Sequence, residues 1–422
     1  MDPEAGHYNA ESGYILENGE EYYAGECEWD EVGIKAVDDL TIEYTFKNPQ
    51  YESTFTSTSL FAPLEESFVD SLGTEYGSSA DKILTNGPFI VSDWVSDSTM
   101  TLVKNENYWD GEVPLDKVTL KCVDDQTTRS MALQTGEIDI AYNLKTENLV
   151  EFEGNDNYDI QELQSLRSTY AFMNQNEDHA LSDKALRQAL LRGLDKETYC
   201  NTLLEGGATA GKAPVPPTLD FGFDDLNDEN AYDPDGAKKI LEEAGYKDVD
   251  GDGFVETPDG DPLVLDFVIY TSRAELGVYA QAAQASLKEI GINVNLNTVS
   301  YETLLDMRDS GQYDLLIWNV LVANTGDPEN YLRENWYSSS ANNTAGYNNP
   351  EVDKLLDELA QTFDEDKRKD LIIDIQQDIM DDAATVFFGY ETTYLFSNKK
   401  VTGVKMYPMD YYWLTKDITL AE

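Results

Sequence analysis

Two stretches of this chain, far apart in sequence, each read as strand–helix–strand, and no repeat period links them. In the first, residues 118–122 suit a strand, 125–135 carry a helical pattern, and 136–141 supply a glycine turn and a second strand. In the second, residues 263–270 form an apolar strand. Leu276, Tyr279, Ala280, Ala283, Leu287 and Ile290 then line one helical face, Gly291 stops the helix, and Ile292, Val294 and Leu296 alternate. This spacing is what a parallel crossover requires. Two such units predict two α/β lobes, and the gap between lobes is where ligands are usually held.

The remaining pattern fills in both halves. Leu40, Ile42, Tyr44 and Phe46 alternate with polar residues, which is the period of a half-buried strand. A hairpin is expected over residues 85–109, with Asn86-Gly87-Pro88 as a turn signal. Residues 183–204 are expected to be one helix, with Ala185, Ala189, Leu190 and Leu194 on its apolar face. Asp233-Pro234 opens another as N-cap and first helical position, and Gly245 ends it. Residues 301–309, a segment starting at Asn349-Pro350, and 364–380 read as helices. Residues 313–318, 385–388 and the last thirty read as strands.

Charge narrows the function classes. The 422 residues carry 82 acidic and 29 basic side chains, a formal charge of −53. Such a field repels phosphate backbones and anionic lipid heads, so neither nucleic acid nor a membrane surface is an expected partner. No stretch reaches the roughly 20 apolar residues that span a bilayer. Three cysteines, Cys27, Cys122 and Cys200, are too few and too odd for a disulfide framework. The N-terminal residues lack a basic stretch followed by an apolar one, so they are not a secretory leader. Either the protein is cytoplasmic or an export segment lies upstream of Met1, and the resemblance described below favours the second.

Catalytic chemistry is under-supplied. The two histidines are His7 and His179. There is no Gly-x-Ser-x-Gly turn, no CxxC, no HExxH and no phosphate-cradling glycine motif. With 82 acids, a carboxylate pair for glycoside hydrolysis is statistically cheap, so an acidic hydrolase is a remote alternative and no catalytic residue is assigned. One acidic string is more specific. Asp248, Asp250, Asp252, Glu256 and Asp259 stand at positions 1, 3, 5, 9 and 12 of a calcium-loop pattern, with Gly253 at position 6. An Asp/Gly-rich hairpin is the plainer reading and structural calcium the other. No further cofactor is expected. Trp318-Asn319, ending a buried strand, and the loop from Asn324 to Asp327 offer an apolar wall with polar groups, as a binding site needs.

Seven strings, in order, carry a family resemblance: VGIKAVDD at 32–39, LTNGPF at 84–89, NENYW at 105–109, QTGEID at 134–139, DKALRQA at 183–189, GDP at 326–328 and YNNP at 347–350. Together they resemble the extracellular solute-binding proteins of oligopeptide, dipeptide and nickel ABC importers. The resemblance implies an α/β, two-lobed, periplasmic-binding-protein-like fold with hinged lobes and mixed sheets. It puts residues 1–167 and 389–422 in a first lobe and 168–388 in a second, with crossings near 168–174 and 388–391. Family members begin with a longer N-terminal region, so the chain looks N-terminally truncated. It implies an extracytoplasmic protein, periplasmic or a cell-surface lipoprotein, acting as a monomer without a catalytic step. Its partners would be a small peptide and ABC permease subunits. Nickel or another metal chelate is the alternative ligand, and a sensor that reports ligand to a receptor is a further one.

The same resemblance implies a ligand site. Tyr170, Phe172 and Asn174 near the first crossing would face Trp318, Asn319, Asn324 and Asp327 on the second lobe. Tyr270 and Arg273 would border it, with Arg273 placed to meet a ligand carboxylate. Peptide binders of this family carry an aspartate that pairs with the peptide's ammonium. The matching position here is Asn324, which has no charge, and Asp327 is the neighbouring acid placed to compensate.

Overall fold

The computed structural model describes residues 13–47, 64–144, 146–270, 273–323, 326–409 and 414–421. β1 (Ile34–Asp38) and β2 (Thr41–Tyr44) form a hairpin. β3 (Phe89–Val95), β4 (Thr99–Lys104) and β5 (Lys117–Lys121) form an antiparallel sheet. A larger sheet takes β6 (Ile140–Leu144), β7 (Tyr158–Met173), β8 (Ala208–Ala210), β9 (Val264–Tyr270), β10 (Asn293–Val299), β11 (Leu315–Leu321) and β12 (Thr385–Asn398). Its order is β10-β9-β11-β7-β12-β6, with β8 beside β12. β10, β9 and β11 run parallel, while β7 and β12 are antiparallel to their neighbours, so the sheet is mixed.

β7 and β12 organise the molecule because each runs through two cores. Tyr170–Met173 of β7 and Val386–Phe388 of β12 belong to the large core, with Leu316, Ile317, Leu276 and Ile375. At the other end Tyr394 and Phe396 belong to a second core with Leu133, Ala141, Leu144 and Phe152, against which Tyr158 and Ile160 pack. Between the cores the ladder breaks. Tyr390 pairs with Ser168, but Thr392 pairs with Gln164, so three residues of β7 oppose Glu391 alone. Such a bulge bends both strands and raises their twist. β7 and β12 thus pass from one core to the other across residues 165–167 and 391.

Helices cover the sheet: α1 (Gln126–Gln134), α2 (Lys184–Arg192), α3 (Pro234–Ala244), α4 (Ala274–Glu289), α5 (Tyr301–Ser310), α6 (Glu329–Trp336), α7 (Pro350–Leu359) and α8 (Glu365–Asp381). The second crossover forms as its pattern predicts. β9 and β10 pair in parallel from Val264/Asn293 to Tyr270/Val299, and the whole stripe from Leu276 to Ile290 is buried. Full burial of a leucine is worth about 1.5–3 kcal/mol, so Leu276 and Leu287 alone anchor α4 firmly. Asp233 caps α3 through the Gly236 amide at 2.9 Å, and Gly245 closes it with a left-handed φ of 95°. Asp364 caps α8 through the Lys367 amide at 3.1 Å. Asp364→Ala is expected to lower stability by about 1 kcal/mol. Urea unfolding checks this as a lower midpoint with an unchanged slope.

Several expectations are corrected. β5 and β6 do not form a parallel crossover. β5 pairs with β4, whereas β6 pairs antiparallel with β12 in the other sheet. Local periodicity reports each strand but not its partner. The hairpin expected over 85–109 does form, as β3 and β4 joined at Ser96–Ser98 around Asp97, whose φ is 55°. The helix expected over 183–204 breaks after Arg192. Gly193 packs where a Cβ would press on Ile290, and Asp195 caps a new turn through the Thr198 amide. β7, sixteen residues long, has no clean alternation because its two ends serve different cores.

Candidate functional site

Beside the bend of β7 and β12, the parallel strands β9 and β11 reach their carboxyl ends, the usual ligand side of such sheets. The β7–β11 register sets Asn319 opposite Thr169, and Gly389 of β12 flanks Thr169 on the other side. The bulge turns Glu391 toward both. Its Oε1 accepts from Thr169 Oγ1 at 2.9 Å and closely from Asn319 Nδ2. Asn319 Nδ2 also donates to Thr169 Oγ1 at 2.7 Å, and Asn319 Oδ1 accepts from Arg167 at 3.0 Å.

Arg273, just ahead of α4, brings charge to this cluster. Its Nη1 lies 3.8 Å from Glu391 Oε2 and 3.7 Å from Glu275 Oε1. Both carboxylates are buried, at 9% and 7% exposure, while the Arg273 side chain is 32% exposed. Buried carboxylates need cations close by. Tyr270, at the end of β9, stands next to them. Burial pushes its hydroxyl up to about 12, opposed by the positive charge of Arg273 and Arg167. An aromatic wall adjoins: Tyr301 lies 5.4 Å from Tyr270 and 6.1 Å from Trp318, and Arg308 sits 5.2 Å over the Trp318 ring. This arrangement offers a polar, preorganised floor beside an apolar face, with no group poised for bond cleavage among the described residues.

The structure thus gathers Arg273 and Asn319 at Glu391, and Tyr270 and Trp318 at Tyr301. Tyr170, Phe172 and Asn174 lie behind them in the core. Tyr170 is fully buried among Phe172, Tyr331, Trp336 and Phe387. Phe172 backs Trp318 at 6.2 Å. Asn174 donates to the carbonyls of Gly311 and Tyr313 and meets His179 Nε2 at 3.1 Å, while His179 Nδ1 meets Asp314 at 3.1 Å. Asp327 is tied to the buried Arg368 by two bonds of 2.9 and 3.0 Å. Asn324 and His7 lie outside the described residues.

Elsewhere, Asp248, Asp250 and Asp252 hold carboxylate oxygens within 4.8 Å of one another. These acids also shape the turn themselves, accepting from the amides of Gly251, Gly253, Asp252 and Phe254. Glu256 turns to the Val249 amide instead, and Asp259 is not in the group. All three cysteines are free. Arg167 and Glu275 escaped the sequence reading, while Thr169 and Glu391 fall within the expected crossings at 168–174 and 388–391 without being named as site residues. Glu275 alone had a local signal, in the first turn of a helix that follows a strand end.

Comparison with known proteins gives a consistent picture. The family described as Bacterial extracellular solute-binding proteins, family 5 Middle, matches residues 2–343. Heme-binding protein A of Haemophilus influenzae is 27% identical over 390 residues, covering 90% of this chain and 68% of that protein. Oligopeptide-binding protein OppA of Bacillus subtilis is 26% identical over 392 residues, covering 90% and 69%. The structure of the oligopeptide-binding protein AppA from Bacillus subtilis, in complex with a nonapeptide, superposes with a TM-score of 0.75. It is 23% identical and covers 92% of this chain and 78% of that one, a likeness of fold. The fold is the two-lobed α/β one that the sequence resemblance implied. Among the described residues no helix is long and apolar enough to cross a membrane.

Proposed function

We propose that this chain, which belongs to the bacterial extracellular solute-binding proteins of family 5, captures a short peptide where its lobes join and delivers it to an ABC permease. The observation that carries this is the run of β7 and β12 through two separate cores, with a break at 165–167 and 391. A pair of strands that bends at one place lets two rigid bodies rock without unfolding either. The buried polar cluster stands at that bend. Capture is binding and release only, with no bond made or broken in the solute. The protein acts outside the cytoplasm.

A metal chelate is the second reading, favoured by the likeness to a protein named for heme binding. His179, the histidine among the described residues, is engaged with Asn174 and Asp314, so a chelate would be held by its organic part. Thermal melts with peptides of two to nine residues, and separately with nickel–histidine and iron porphyrin, tell the two apart. A peptide at a hundredfold its Kd stabilises by about 2.7 kcal/mol. Melts that respond only to the chelates would replace the peptide reading with the second one.

A further inference from the structure

We infer that residues 404–408 form a strap across the bend of β7, and that Gln161 is the clasp through which this strap limits how far the two cores rock. The inference rests on the rocking that the capture reading invokes, and it names what restrains it.

On one flank β7 pairs with β12, and on the other β11 accompanies it only from Met173 to Arg167. At Leu166 that second flank changes hands. The Leu166 carbonyl accepts from the Val322 amide at 3.0 Å, and the Leu166 amide donates to the Pro408 carbonyl at 3.0 Å. Within a strand both backbone groups of one residue point to the same edge. Val322, a member of the large core, and Pro408 therefore abut on a single residue of the bend.

Gln161 holds the strap further toward the second core. Its Nε2 donates to the Val404 carbonyl at 2.9 Å, and its Oε1 accepts from the Met406 amide at 2.9 Å. One side-chain amide thus serves an acceptor and a donor of the strap, as a neighbouring strand would. Met406 is buried while Lys405 and Tyr407 are exposed, the alternation of extended chain. The strap is anchored on both sides. Before it, Val401 and Thr402 pair with Leu420 and Thr419. After it, Leu414 packs on the core of the β3–β4–β5 sheet, and Lys416 Nζ donates to Asp110 Oδ2 at 2.6 Å. A change of angle at Leu166 turns Val322 and Pro408 against each other, since one moves with the large core and the other with the anchored strap. Both bonds at Leu166 survive only a narrow range of such angles. Beyond that range the strap must lift, which the two Gln161 bonds oppose. They are neutral and can re-form, so the strap biases the bend without locking it.

The test measures spin-label distances in the protein free of any solute. Cys27→Ser and Cys122→Ser clear the background, and buried Cys200 stays in place. One label is placed at Val150→Cys, 78% exposed beside the second core, and one at Lys239→Cys on α3, which packs on the large core. Wild type is expected to show one dominant distance and a minor second one. Gln161→Met keeps the side-chain length, removes both clasp bonds and should raise the minor population roughly tenfold. Lys416→Met loosens only the far anchor, at a side chain 30% exposed, and should raise it about two- to threefold, which keeps the test open if Gln161→Met does not fold. Variants that melt lower with unchanged distances overturn the inference. A distribution already broad in wild type and no broader in the variants overturns the strap and leaves the rocking. A single narrow distance in all three proteins overturns both. No solute enters the measurement, so whether a peptide binds is read from the melts alone.

Discussion

Replacing Arg368 with alanine is expected to remove about 3–5 kcal/mol of stability, enough to unfold a marginal domain at body temperature. The guanidinium is 2% exposed on α8. It donates to Asp327 at 2.9 and 3.0 Å, to Glu329 at 2.8 Å, and to the carbonyls of Leu359 and Thr362 at 2.8 and 2.7 Å. It therefore joins α8 to the start of α6 and the end of α7. Alanine removes the guanidinium from Asp327, buried at 8% exposure, and takes a donor from two carbonyls, of which that of Leu359 keeps the Thr362 amide at 3.1 Å. Changing only Glu329, which is less buried, should cost less. Converting the triad together, as Arg368→Met, Asp327→Leu and Glu329→Gln, should recover most of the loss, because what destabilises is the unpaired charge and not the absence of a bridge. Urea unfolding of the three variants measures this. A loss below about 1 kcal/mol for Arg368→Ala would show that water reaches and screens the pair.

That ion pair also marks the limit of what the residues disclosed in advance. Helix ends were legible because their causes are local. Asp233-Pro234, Asn349-Pro350, Gly245 and Gly291 each set the backbone within one turn. The α4 stripe was legible because one face meets one core. β7 was not, because its 158–160 end and its 170–173 end belong to different cores, and the bulge resets the alternation between them. Neither was the partner of β6, since antiparallel pairing with β12 joins residues about 250 apart in sequence and leaves no local trace.

The site divides along the same line. Tyr270 and Arg273 could be named because they sit at or just past the end of β9, whereas Trp318 and Asn319, expected to end their strand, lie inside β11, which runs on to Leu321. Glu391 is one acid among 82; the resemblance put a crossing at 388–391, and the register slip at Tyr390/Thr392 sets this residue apart within it. Arg187 shows the converse. It lies in the family-like string at 183–189, yet its guanidinium is buried and spent on the carbonyls of Leu181, Ser182, Asp382 and Ala383. It is a structural tie, and the string is legible as family before it is legible as architecture. Gly211 and Gly389 are similar. A Cβ on Gly211 would press on the backbone of Phe387, and one on Gly389 on Tyr279 and Cys200, so each permits the close approach of β8, β12 and α4.

Raising the pH is expected to unfold the protein cooperatively between pH 10 and 12, driven by buried tyrosines. Ten of them among the described residues, Tyr170, Tyr199, Tyr246, Tyr270, Tyr279, Tyr313, Tyr331, Tyr347, Tyr390 and Tyr394, are buried, and desolvation raises every one above its ordinary value near 10. The folded chain keeps these hydroxyls protonated where the unfolded chain has ionised them. Their contribution is therefore complete below pH 10 and is lost as pH climbs toward the folded values, of which that of Tyr270 is about 12. Each such group steepens the loss by about 1.4 kcal/mol per pH unit, so together they remove on the order of 10 kcal/mol per unit. A domain stable by about 5–15 kcal/mol cannot survive far past pH 11 on those terms. Tyrosinate absorbance followed beside far-ultraviolet circular dichroism reads this directly: both should change in one step. A smooth tyrosinate titration that reaches pH 12 with the helix signal intact would mean that water enters these cores without unfolding them.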